Sequence, residues 1–145
     1  MFSIDFDVAE AARNLGQLTV AYILALPVAM DREKSARGAG LRTFPLVAVA
    51  ACGYMLVGLS ILSSTEAESR VLQGLITGIG FIGGGAILKS NGTVHGTATA
   101  ASIWITGLIG VAVASHRYEI ALLMSIISVF TLRVVRQFKE NPDEE

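Results

Sequence analysis

The chain has 145 residues, 52% of them hydrophobic and only 16% charged, with a mean hydropathy of +0.60. Soluble domains carry roughly 25% charged residues, so an ordinary soluble domain is excluded and a membrane protein is indicated. A net charge of −1 gives no basic field for nucleic acid, and the single cysteine, Cys52, excludes an internal disulfide and a cysteine-built zinc cage.

In chain order, apolar residues gather in five blocks near the length of roughly 20 residues that a spanning helix needs. The segment before the first block carries Asp5, Asp7 and Glu10 but no Lys or Arg up to that point. That is unlike a secretory signal, so the first block, Ala11–Met30, reads as a retained membrane helix. The charged run Asp31, Arg32, Glu33 and Lys34 follows it, and Arg37 and Arg42 precede the second block, Thr43–Leu62. The third block is Val71–Leu88, the fourth Thr97–Ser115 and the fifth Tyr118–Val135. The expected fold is all-α: a polytopic bundle of five transmembrane helices over residues 1–138, with a disordered acidic tail at 139–145. Short connections make consecutive helices antiparallel neighbours. Arg32, Lys34, Arg37, Arg42, Lys89, Arg133, Arg136 and Lys139 then fall on one side, against Arg13, Arg70 and Arg117 on the other. The basic excess predicts a cytoplasmic C-terminus and an N-terminus outside.

The third block contains Gly78-Ile79-Gly80-Phe81-Ile82-Gly83, which fits the dinucleotide fingerprint G-x-G-x-x-G. The fingerprint needs a strand before it and an acidic residue about 20 positions on. No Asp or Glu lies between Arg70 and Glu119, so nucleotide binding is rejected. Close helix packing is the better reading. Gly74, Gly78 and Gly85 fall within about 40° on a helix, and Gln73, Thr77, Gly80 and Gly84 make a second stripe. Leu72, Leu75, Ile79 and Ile82 are left for lipid. Small residues let membrane helices approach closely, and two stripes predict burial on two faces. Thr99, Ser102, Thr106 and Gly110 form a matching stripe on the fourth block. These polar stripes read either as packing contacts between helices or as the lining of a narrow pathway.

No ionisable residue sits mid-span, which weakens a pump or proton-coupled carrier but leaves a neutral pore open. The charges crowd at the helix ends. Asp31, Arg32, Glu33, Arg42 and Thr43 flank one short loop and form a candidate functional rim on the cytoplasmic side. Asp31 and Glu33 could take a hard cation through oxygen, and Arg32 and Arg42 a phosphate or carboxylate; the same residues also suit an ordinary loop with positive-inside bias. One of the two arginines is expected to bond an acid of this group, with Lys89 or Asn91 nearby. His95 and His116 fall on opposite sides, no catalytic constellation is present, and no cofactor or enzymatic activity is expected.

These residues resemble a known family. Asp31-Arg32-Glu33, then Gly40-Leu41-Arg42-Thr43, Arg70, the glycine run Gly78 to Gly85, and Gly96 to Trp104 are together similar to the membrane domain of the MgtC/SapB family, over about Gly16 to Val135. Asp31 stands where the first motif usually has Glu, and Thr97 and Ala98 replace Leu and Thr of the fourth. The resemblance implies a bacterial inner-membrane protein linked to magnesium limitation, acid stress or virulence. Longer members continue into a cytoplasmic domain beyond the point where this sequence ends. The leading expectation is a membrane regulator acting through contact with a membrane protein partner, surrounded by membrane lipid and assembled as a homo-oligomer, a dimer by the commonest symmetry. The alternative is a small channel or transporter for a divalent cation or another small solute.

Overall fold

The computed structural model describes residues 7–35 and 39–135. Arg37, Arg136, Lys139 and the acidic tail named above lie outside the described residues. Within them the chain forms five α-helices and one hairpin: α1 (Val8–Ser35), α2 (Thr43–Ile61), α3 (Thr65–Gly85), β1 (Leu88–Ser90), β2 (Thr93–His95), α4 (Thr97–Ala114) and α5 (Tyr118–Phe130), the last continued by a π-helical turn at Thr131–Val135. Three segments are long and apolar enough to cross a membrane: Thr43–Ile61, Thr97–Ala114 and Tyr118–Val135. α1 and α3 carry more polar residues.

Local chemistry sets the element boundaries. Asp7 caps α1, its Oδ1 accepting from the Glu10 and Ala9 amides at 3.1 and 2.8 Å; these bonds hold its carboxyl below the usual carboxylate range. Ser64 caps α3 by accepting from the Ala67 amide at 3.2 Å, so α3 starts at Thr65, six residues before the expected Val71. An exposed Arg70–Glu66 pair at 2.6 Å lies along its first turns. The stretch after α3 was expected to be plain loop. It is instead a two-residue hairpin in which Ser90 faces Thr93 and the turn residues Asn91 and Gly92 both have positive φ, 50° and 81°. That geometry belongs to Asn-Gly type I′ turns. Gly96 follows at φ 86°, where an added Cβ would collide with the Ala86 carbonyl, and it opens α4.

α4 is the hub, packing against all four other helices. Its buried residues are mostly small: Thr99, Ser102, Thr106, Gly107, Gly110, Ala112 and Ala114. Gly110 lies directly on α2, where a Cβ would strike the Ala48 carbonyl and come within 2.9 Å of the Cys52 amide. Gly107 receives the Ile79 side chain of α3. α1 and α5 are joined by Ser125, whose hydroxyl donates to the Leu24 carbonyl at 2.7 Å, close to the break in helical bonding that Pro27 causes. Gln17 of α1 donates through Nε2 to the Val113 and Ala114 carbonyls, at 3.1 and 3.4 Å, where α4 ends.

The glycine stripes are the main correction. Gly74, Gly78, Gly80, Gly84 and Gly85 are exposed, and a Cβ on any of them would meet nothing within 4 Å. Gln73 and Thr77 are exposed as well. Ile79, expected to face lipid, is buried. α4 brings its own glycines to the contact, so α3 turns its side chains inward and needs only Gly83, which meets Ala100.

The packing makes opposite forecasts for two kinds of glycine. Gly110→Leu should lower the melting temperature in mild detergent markedly, by overpacking worth about 1–3 kcal/mol, whereas Gly80→Leu should shift it little. Circular dichroism melts read both; equal shifts would contradict α4 as the close-packed hub.

Candidate functional site

The rim forms where α1 ends, α2 begins and α5 runs out. The acid-base run was expected to follow α1 as loop, but α1 continues through it to Ser35. On the extended helix Asp31 and Arg32 point into the bundle, at only 5% and 6% exposure. The Arg32 Nη2 donates to Asp31 Oδ2 at 2.8 Å, so the expected bond between an arginine and an acid of this group is the Arg32–Asp31 pair. Arg133 reaches the other oxygen, its Nε lying 3.6 Å from Asp31 Oδ1. The sequence reading had counted Arg133 only as a topological charge. It stands on the π-helical turn, where one extra residue per turn re-aims side chains. Arg32 Nε is buried and makes no hydrogen bond among the described residues.

Glu33 points outward and closes the loop. Its Oε2 accepts from the Leu41 amide at 2.9 Å. The carboxylate occupies the place of a Cβ at Gly40, and the Gly40 carbonyl accepts from the Thr43 and Phe44 amides that begin α2. A side chain at Gly40 would displace the Glu33 carboxylate from the Leu41 amide, a contact that the sequence reading did not foresee. Arg42 is exposed and makes no ion pair among the described residues, and Thr43 is half-buried.

The rim is thus built as a closed charge cluster. Both oxygens of Asp31 face guanidinium groups and one oxygen of Glu33 is taken by an amide, which leaves little for a hard cation. Among the described residues no three His, Cys, Asp or Glu side chains come together as a metal site. The stripe on α4 is buried as expected, yet its hydroxyls turn to their own helix: Ser102 donates to the Ala98 carbonyl and Thr106 to the Ser102 carbonyl, both at 2.7 Å. They bond neither across helices nor into a pathway. At the opposite end, a mixed recess of about 810 Å³ is lined by Glu10, Arg13, Gln17, Glu68 and His116 together with Met55, Leu56 and Leu59, among others. With Arg133 beside Asp31 at one end and His116 beside Arg13 at the other, consecutive helices run antiparallel.

The fold and its end-loaded charges define a small helical membrane protein. The sequence places it further: it matches the MgtC family over residues 18–141 and belongs to that family. It is 34% identical to YhiD of Escherichia coli K12 over 128 residues, which is 83% of this chain and 60% of YhiD. It is 33% identical over 129 residues to protein SrpB of Synechococcus elongatus, 80% of this chain and 71% of SrpB. It is 34% identical over 110 residues to protein MgtC of Salmonella typhimurium, 76% of this chain and 47% of MgtC. The matched region thus spans between 47% and 71% of the length of these relatives. No solved structure matches it.

The pair at the rim should be sensitive to one-sided change. Asp31→Ala leaves a buried guanidinium uncompensated and should cost about 3–5 kcal/mol, whereas Asp31→Leu combined with Arg32→Met should recover most of it. Denaturation in detergent reads the two. A double variant no better than the single one would mean that the pair does not stabilise through mutual neutralisation.

Proposed function

We propose that this protein is an inner-membrane regulator of magnesium and acid-stress adaptation that acts through helix contact with a membrane protein partner. The observation that carries the reading is the outer face of α3. Gln73 sits ninth in the 21-residue helix, exposed, on one face with Thr77, Gly80 and Gly84. Its amide makes no hydrogen bond among the described residues. A polar amide facing hydrocarbon costs free energy, and bare glycine backbone beside it offers close approach to another helix. A protein surface satisfies both. The occupant is a membrane protein partner or a second copy of the chain. Either covers the stripe that the bundle itself leaves open.

The proposal includes five spans with the N-terminus outside and the C-terminus cytoplasmic, supported by the basic excess at the Asp31 end. A reporter fused after Glu145 should then be active only as a cytoplasmic fusion, and one before Met1 only as an extracytoplasmic fusion. Both on one side would end the five-span reading.

Cross-linking tests the contact face. Cys52 is fully buried, so Cys52→Ala should give a silent background. In it, Thr77→Cys should form cross-links to another polypeptide in membranes, and Ile126→Cys on exposed α5 should not. Gln73→Leu should weaken the association by about 1–2 kcal/mol and impair growth in low magnesium at equal membrane levels. No cross-link from position 77 would remove the contact reading.

A second reading is transport of magnesium or another small solute. The name given to YhiD proposes magnesium transport for that protein, and the presence of Glu10 and Glu68 in one recess favours it here. Magnesium flux into liposomes holding purified protein separates the two: flux above that of empty liposomes supports the carrier, and its absence supports the regulator.

A further inference from the structure

We propose that the groove between α2 and α3 binds one acyl chain of an anionic phospholipid, whose phosphate sits against Arg42. α3 leans mainly on α4 and, beyond the contact of Val71 with Gly58, stands away from α2, which leaves an apolar groove of about 670 Å³ between them. Thr43, Leu46 and Tyr54 line it from α2, and Gly74, Gly78 and Ile82 from α3. At Gly74 and Gly78 the wall is bare backbone, since nothing lies within 4 Å of either Cβ position.

Dimension, shape and charge point to the same occupant. From Thr43 to Tyr54 a helix rises about 16 Å, about half of the roughly 30 Å hydrocarbon core. The groove is therefore one leaflet deep. The slot is open along its length and lined almost wholly by apolar side chains and bare glycine backbone, which suits a flexible hydrocarbon chain. Arg42 is the residue before Thr43, which lines one end of the groove; it is exposed and makes no ion pair among the described residues. A guanidinium beside an apolar slot matches a phosphate carrying a hydrocarbon chain. This site is on the groove side of α3, away from the Gln73–Gly84 face, so each proposal stands without the other.

The experiment is native mass spectrometry of the full chain, extracted in mild detergent and offered equimolar phosphatidylglycerol and phosphatidylcholine. The wild type should retain phosphatidylglycerol about fivefold over phosphatidylcholine, the factor that one basic side chain at a lipid surface supplies. Arg42→Gln should bring the ratio to about one while total bound lipid stays. Gly78→Leu should lose both lipids, and Ala50→Leu on the facing wall repeats that test should Gly78→Leu fail to fold. A wild-type ratio of one, a ratio unmoved by Arg42→Gln, or full lipid retention with the groove filled would each overturn the proposal. So would a disulfide between two copies carrying Gly78→Cys in the Cys52→Ala background, because a second chain would then occupy the groove.

Discussion

Inside a bilayer, one apolar helix gains little by hiding from lipid behind another, so the bundle rests on how closely backbones can approach. That approach is concentrated on α4. Gly110 lets the α2 backbone come against α4, and Gly107 lets Ile79 of α3 enter it. With Ala48, Cys52, Ile109 and Val113 packed around the first contact and Ile103, Phe44 and Val28 beside the second, the two contacts seat α2 and α3 on neighbouring faces of α4. Everything else follows from that spacing. α3 is held mainly by α4 and meets α2 closely where Val71 packs on Gly58, a groove remains between them, and most glycines of α3 stay outside.

The charged rim obeys a different constraint. Burying a carboxylate or a guanidinium alone is expensive, and burying them together is roughly neutral at best. Asp31 and Arg32 are adjacent in sequence, so one turn of α1 carries both inward and they neutralise each other without help from another helix. Arg133 adds a second cation from the far end of the chain, and Glu33 pins the start of α2 through Leu41. The cluster ties three helix ends with directional, charge-assisted contacts, a property that the apolar core does not supply. This makes the rim a clamp on helix positions more than a binding surface, and it leaves Arg42 and Lys34 as cations turned outward.

The sequence made much of this visible, for physical reasons. Five apolar blocks of spanning length are hard to read as anything but helices, and the boundaries of α2, α4 and α5 with its π-turn come within a residue of expectation. The misses have identifiable causes. α1 was expected to stop at Met30 because charges were taken to mark a loop; paired charges can be carried on a helix. The hairpin was overlooked although Asn91-Gly92 between Leu88-Lys89-Ser90 and Thr93-Val94-His95 is the local signal for it. The glycine stripes of α3 were expected to be buried, and within the chain they are not, because composition says that a close approach is possible, not which helix supplies the small residue. At the α3–α4 contact α4 supplies it, and the one glycine that α3 contributes, Gly83, belonged to neither stripe. Arg133 was beyond reach, since its meeting with Asp31 depends on a π-turn and on the whole path of the chain.

α3 is consequently a helix with three unlike faces. Ile79 and Gly83 face α4 and are satisfied by it. Gly74 and Gly78 face the groove, where the surroundings are apolar and one end is basic. Gln73, Thr77, Gly80 and Gly84 face outward, where a polar amide and uncovered backbone meet hydrocarbon. Only the first face is completed within the chain. A helix that needed to hold the bundle together and nothing more would be covered with Leu and Ile on its outer side, as α5 is with Leu122, Leu123, Ile126 and Ile127. α3 exposes Ile76, Phe81 and Ile82 too, but only α3 adds an amide and bare glycines to its surface, and this contrast with α5 is what supports the proposed contact with another protein.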